Sequence, residues 1–240
     1  MTEPTDDTQP TDDTQPTDDT QPTDDTNAMR ALLALAHESE SVRLQAALAV
    51  GTTPHPRFID RLVERCGVEP DFYVRDMLTW ALTRHPAAAT VPRLIAELDS
   101  ARPQARSQAL HTLSKIADRR AWPAITPALL TDAEPDVARS AWRAAVVLVP
   151  PGEEAALARV LMTQLGRGDR EMQRSLSRAL VALGEVIVPD LHAAMTSPDP
   201  RVRQHAIATE RLLRDPEAGF EYAIAEAKRI VALGPTRHEG

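Results

Sequence analysis

The chain has 240 residues and a formal net charge of −8; 42% of it is apolar but only 3% aromatic, so any core must be aliphatic and one or two domains can be filled. Its single cysteine, Cys66, excludes a disulfide framework and a multi-cysteine metal cluster and fits a reducing compartment. No run of about 18 uncharged apolar residues occurs and the N-terminus lacks the basic and apolar regions of a secretory signal, so no membrane span is expected and a cytoplasmic location is.

Residues 1–27 hold nine of the 35 acids and no base, in a TDDTQP hexapeptide repeated three times with a fourth partial copy. Such a segment has almost nothing to bury against the entropy of ordering it, so a disordered acidic tail, dispensable for folding, is expected. A sharper reading lays its carboxylates across arginines of the folded part, shielding a binding face. The rest of the chain carries 26 acids against 27 bases and is close to neutral.

From residue 28 to 234 one phrase recurs. Arg43, Arg75, Arg106, Arg139, Arg174 and Arg203 follow one another at intervals of 32, 31, 33, 35 and 29 residues, the period of helical-hairpin repeats. Each hairpin pairs a leading apolar segment with one that carries the Arg. In chain order these are NAMRALLALA with VRLQAALAV, RFIDRLVERC with VRDMLTWAL, VPRLIAEL with ARSQALHTL, WPAITPALL with ARSAWRAAV, EEAALARVLMTQL with QRSLSRALV, and IVPDLHAAM with VRQHAIATE. In most copies the residue before the Arg and those three and seven after it are apolar or small, which is one face of a helix; Gln173, Ser177 and Glu210 depart from the pattern.

Pro92, Pro123 and Pro189 are expected in the first turn of leading helices, where a missing N–H costs nothing. Asp71, Asp136, Asp169 and Asp199 are expected to open the Arg-bearing helices as caps and dipole partners. A last periodic segment, 217–233, lacks the Arg phrase and reads as a capping helix, followed by a flexible C-terminus over 235–240. No segment reads as a strand.

The phrase D-x-x-V-R-x-x-A-x-x-A-L behind an x-x-P-x-L helix resembles the short HEAT-like repeat of bilin lyase subunits, over residues 28–215. The resemblance implies an all-α, right-handed α-α superhelix of the HEAT or armadillo type, with about six hairpin repeats and a C-terminal capping helix. It also implies a ladder in which Arg43, Arg75, Arg106, Arg139, Arg174 and Arg203 bond the Asp of their own or an adjacent repeat, here Asp71, Asp136, Asp169 and Asp199. It implies little about function, since one fold hosts many.

Enzymes built on similar repeats can be compared residue by residue. Deoxyhypusine hydroxylase holds two irons with His-Glu pairs directly after the repeat Arg; here the corresponding pairs run from Leu44-Gln45 to Gln204-His205 and none is His-Glu, so neither metal nor cofactor is expected. Alkylpurine DNA glycosylases set a catalytic Asp among Trp side chains in a strongly basic groove. Trp80, Trp122 and Trp142 have no acid one turn later, and a near-neutral folded part argues against nucleic acid. A subunit of lyase or glycosylase type stays as the alternative to a non-catalytic scaffold. Ser107, Ser140 and Ser175 share a column without a nucleophile elbow and read as small surface residues. "GRG" at 166–168 reads as a turn, and Cys66 as an inert, partly buried thiol.

The expected function is therefore binding of a protein or peptide partner on a concave face lined by the Arg-bearing helices. Positions one, two and five after each Arg are expected to point into that groove: large and amphipathic in the first repeats, mostly small from Ser140, Ala141 and Ala144 onward. Four of the eight aromatics lie in the second repeat. Aromatic and Met anchors flanked by polar groups mark interfaces, so a site is expected around Trp80, with Met77, Gln108 and His111 beside it and Asp76 and Gln45 on its rim.

Overall fold

The computed structural model describes residues 21–215 and 219–233; the expectations for residues 1–20 and 234–240 lie outside them. Proline starts many of the helices, because its fixed φ suits a first turn and its missing N–H has no partner to lose there. Pro56, Pro103, Pro127, Pro135, Pro189 and Pro200 all stand at such starts.

Six hairpins result. They are α1 (Gln21–Ala34) with α2 (Glu40–Thr52), α3 (Ile59–Cys66) with α4 (Phe72–Thr83), and α5 (Ala87–Glu97) with α6 (Pro103–Ile116). Then come α7 (Pro127–Leu130) with α8 (Pro135–Leu148), α9 (Glu154–Met162) with α10 (Arg170–Ala182), and α11 (Val188–Ala194) with α12 (Pro200–Arg214). Short 3-10 segments, Pro56–Phe58, Arg119–Ala124 and Gly184–Ile187, lead into three of the first helices, and α13 (Phe220–Leu233) packs on α12 to close the array. Helix α1 starts at Gln21, inside the segment assigned to the acidic tail. No strand occurs among the described residues.

The second helices form one continuous layer, α2 on α4, α4 on α6, α6 on α8, α8 on α10 and α10 on α12, so each hairpin touches mainly its neighbours, as in a solenoid. The shared core is aliphatic. Leu62, Leu78, Leu82, Leu110, Leu113, Leu148 and Leu180 are fully buried among alanines, and each contributes roughly 1.5–3 kcal/mol by leaving water. Trp142 is the one aromatic among the largest fully buried side chains, and its Nε1–H donates to the Leu130 carbonyl at 2.8 Å, so the indole satisfies itself within its own hairpin.

Two prolines depart from their expected place. Pro92 is the sixth residue of α5 rather than in its first turn, because the Ala-rich stretch before it extends the helix back to Ala87. Pro123 lies inside the 3-10 segment, and the leading helix of the fourth hairpin is broken into that segment and the four-residue α7. The capping expectation holds for three aspartates. Asp71, Asp169 and Asp199 accept from the backbone N–H of Val74, Met172 and Arg201 at 2.9, 2.9 and 2.8 Å. Asp136 is in the first turn of α8 and makes no cap bond.

Four of the six repeat arginines hold turns, and Arg139 keeps the expected pairing with the Asp136 of its own repeat at 3.7 Å. Arg43 donates to the carbonyls of His37 and Glu38, Arg75 to Glu69 and Pro70, Arg106 to Ser100, and Arg203 to Ser197 and Pro198, at 2.6–2.9 Å. Each of these four is the fourth residue of its helix and reaches back five or six residues into its own hairpin turn. Their acidic partners lie one hairpin on and are not the capping aspartates: Arg43 pairs with Glu69 and Arg106 with Asp132.

In α8 and α10 the Arg comes one residue later, and the fourth position holds Ala138 and Gln173. Gln173 donates to the turn carbonyl of Gly168 at 3.4 Å. In α8 the vacated role passes to Arg167 of the GRG turn, whose Nη2 donates to the carbonyls of Asp132 and Ala133. Arg139 is thereby released from the turn.

Candidate functional site

That release matters because α4, α6 and α8 line an open cleft of about 210 Å³ on the layer of second helices. Helix α4 contributes Phe72, Arg75, Asp76 and Thr79, helix α6 contributes Ser107, Gln108 and His111, and helix α8 contributes Asp136, Arg139, Ser140 and Arg143. Three guanidinium groups and the carboxylates of Asp76 and Asp136 thus line one space.

Two buried polar atoms of the lining have no hydrogen-bond partner, the Thr79 hydroxyl and the Arg139 Nε. Thr79 is only 3% exposed, and a buried unsatisfied polar group costs about 1–3 kcal/mol. Such groups in a lining are what an incoming ligand can satisfy. Arg139 also reaches Glu171 at 2.6 Å and lies 3.7 Å from Asp136, both with exposed carboxylates.

Arg143 has no acid partner among the described residues; its Nη1 donates instead to His111 Nδ1 at 3.0 Å. Because an Arg can only donate, His111 Nδ1 must accept, which leaves the ring proton on Nε2. Burial, and after it the like charges of Arg139 and Arg178, hold the Arg143 pKa below its ordinary value. Burial, then Arg143 and Lys115, likewise lower that of His111 against an opposing pull from Asp76, so the imidazole is neutral at pH 7. Crowded cations beside unpartnered donors favour an anion.

At the rim, Phe72 and Tyr73 are 64% and 72% exposed, edge to face at 5.6 Å, with the Arg75 guanidinium 6.0 Å from the Phe72 ring. The floor is hydroxylic: Ser107 Oγ lies 3.0 Å from Ser140 Oγ and donates to the Asp136 carbonyl. Both serines are buried and tie α6 to α8, so they are not the surface residues expected from the sequence.

Of the six residues expected to form the partner site, Asp76, Gln108 and His111 line this cleft. Trp80, Met77 and Gln45 lie outside its lining. Trp80 is 37% exposed and leans on α2: a Cβ on Gly51 would come within 2.4 Å of its ring, so the glycine makes the seat for the indole. Met77 is half-buried against the core and Gln45 is exposed on α2.

The expected lining columns do not continue along the array. Ala141, Ala144, Leu176, Ala179, His205 and Ala208 are buried. The alanines among them let neighbouring helices approach closely, and the one-residue shift of the Arg in α8 and α10 rotates the column inward. His205, expected as a polar groove position, is fully buried between hairpins. Its Nδ1 accepts from the Gly166 N–H and its Nε2–H points to the Gln173 carbonyl, both at 3.0 Å.

Sequence reasoning missed Arg143. A signal existed: the position four after each repeat Arg reads Ala47, Thr79, Leu110, Arg143, Arg178 and Ile207, and two arginines interrupt an otherwise small or apolar column.

Elsewhere, burial raises the Cys66 thiol to about 12, leaving it inert. Gly166 and Gly168 take positive φ in the α9–α10 turn, as the GRG reading expects. Among the described residues, no group of three or more His, Cys, Asp or Glu is placed to hold a metal ion, and no helix is long and apolar enough to cross a membrane.

Comparison with known proteins bears on the fold. No curated protein sequence matches the chain. Among solved structures, the complex of CpcE and CpcF of phycocyanin lyase from Nostoc sp. PCC7120 is similar at 18% identity and a TM-score of 0.45, covering 83% of this chain and 86% of that one. An engineered protein is similar at 22% identity and a TM-score of 0.42, covering 85% of this chain and 62% of that one. The family model for HEAT repeats matches residues 59–146, from the start of α3 almost to the end of α8, which takes in all three helices of the cleft. Over residues 59–146 the chain is similar to HEAT repeats.

Proposed function

We propose that this protein is a non-catalytic HEAT-repeat scaffold that binds an acidic segment of a protein partner in the cleft between α4, α6 and α8. The observation that carries the reading is the set of unsatisfied donors there: Arg143 without an acid partner, and Arg139 Nε and the Thr79 hydroxyl without any. An anionic side chain supplies acceptors to all three, and charge-assisted bonds of this kind are about twice as strong as neutral ones. Phe72 and Tyr73 at the rim offer the aromatic contact that interface anchors favour, and Trp80, Met77 and Gln45 extend the surface towards α2.

The test is a peptide array probed with the full chain. Retained peptides should be enriched in Asp and Glu, and an Arg139→Ala/Arg143→Ala double variant should lose them while melting within about 2 °C of wild type, because both side chains make only exposed ion pairs or none. Retention of basic or uncharged peptides, or an unchanged pattern with the double variant, contradicts the proposal.

A further inference from the structure

We infer that the chain carries its own competitor for this cleft: the aspartate pairs of its N-terminal TDDTQP repeat bind there in cis and must be displaced by a partner segment. The inference rests on the reading of the cleft as a site for an acidic segment and adds its regulation.

Charge decides the direction. Residues 1–27 contain nine acids and no base, with Asp pairs at 6/7, 12/13 and 18/19 preceding the first described helix. In the cleft, Arg143 is without an acid partner among the described residues. At the C-terminal end, Arg211 and Arg229 pair with Glu226, and Arg214 pairs with Glu210. Arg143 has a neutral imidazole as its bonding partner, and the like charge of Arg178 lies close by. The unsatisfied Thr79 hydroxyl and Arg139 Nε provide a second, independent sign that something polar belongs in the space.

Reach permits the contact. Helix α1 packs on α2, α2 on α4 and α4 on α6, so the cleft begins two to three helix spacings from α1, about 20–30 Å at 8–10 Å each. The length of α1 adds up to about 21 Å. Twenty residues precede Gln21, and the pair at 6/7, fourteen residues before it, reaches about 46–50 Å when extended, which matches the path, whereas the pair at 12/13 reaches only about 26–29 Å. Tethering sets an effective concentration in the millimolar range, enough to hold a weak ligand in place against a free one.

The experiment compares two full-length proteins: wild type and a variant with the six aspartates Asp6, Asp7, Asp12, Asp13, Asp18 and Asp19 replaced by Asn. The probe is a fluorescein-labelled peptide of two TDDTQP units, titrated by anisotropy at low salt. The Asn variant should bind it about tenfold more tightly than wild type, and adding Arg143→Ala, or Arg143→Gln if the alanine variant melts lower, should remove the gain. Equal affinity of the two proteins, with binding still sensitive to Arg143, overturns cis occupation and leaves the cleft reading standing. No binding to either protein, or binding insensitive to Arg143, overturns both.

Discussion

Arg43 and Glu69 meet across the first two hairpins in a two-pronged pair, Nε to Oε2 and Nη2 to Oε1, each at 2.8 Å and both side chains buried. Glu69 also accepts from Arg65 and from the Asp71 N–H at 3.0 Å, so one carboxylate joins α2, α3 and the turn before α4. Removing one partner of a buried pair strands the other, at about 3–5 kcal/mol. Glu69→Gln should therefore lower the melting temperature by roughly 6–20 °C, at about 2–4 °C per kcal/mol for a chain of this size, in differential scanning calorimetry.

The same carboxylate predicts acid behaviour. Burial alone would raise the Glu69 pKa, but the hydrogen bonds from Arg43, Asp71 and Arg65 outweigh it, and the value lies below the ordinary carboxylate range. A lowered folded-state pKa means that the unfolded chain binds the proton first. The stabilisation is complete above the ordinary carboxylate pKa and is lost as pH falls through the folded value. Urea midpoints below about pH 4 should fall more steeply for wild type than for Glu69→Gln.

His205 acts in a different window. Burial lowers its pKa to about 4, opposed by the Gln173 carbonyl, and protonation at Nδ1 would face the Gly166 N–H. The unfolded chain takes up this proton near pH 6.5, so stability declines from there down to about pH 4, by about 3 kcal/mol in all. His205→Gln should flatten the urea midpoint between pH 7 and 5, whatever its effect at pH 7.

Ala117 caps α6 at φ 57, the left-handed region that favours glycine. Ala117→Gly should stabilise by about 1 kcal/mol, read as a melting temperature about 2–4 °C higher.

Gly51→Ala tests the seat of Trp80. The added Cβ would lie 2.4 Å from the ring and 2.9 Å from the Ala81 Cα. The indole can swing away but the backbone of α4 cannot, so a loss of about 1–3 kcal/mol is expected, with Trp fluorescence shifted to the red as the ring is released.

The hairpins, the closing helix and the caps at Asp71, Asp169 and Asp199 were legible in the sequence because helical periodicity and capping are local. The role of the repeat Arg was legible in kind but not in partner. Bonds to turn carbonyls have no side-chain signature, so an Arg at position 75 and one at 139 look alike although only the first holds its turn. The one-residue shift at Ala138 and Gln173 shows only when helix starts are known. It decides which small residues are buried, such as Ala141 and Ala144, and which arginine is free to face a ligand. The cleft draws on three hairpins at once, so no single repeat displays it; Asp76, Gln108 and His111 were legible as its members, and Arg143 and Arg178 in an apolar column were a further trace.

The measurement that bears most directly on the proposed site is arginine-selective modification with phenylglyoxal, mapped by mass spectrometry with and without a saturating acidic peptide. The cleft account predicts slowed modification at Arg143 and Arg139, less at half-buried Arg75, and none at Arg211 or Arg229 on the last hairpin and closing helix. Protection confined to Arg211 and Arg229, or no protection at Arg139 and Arg143, would contradict it.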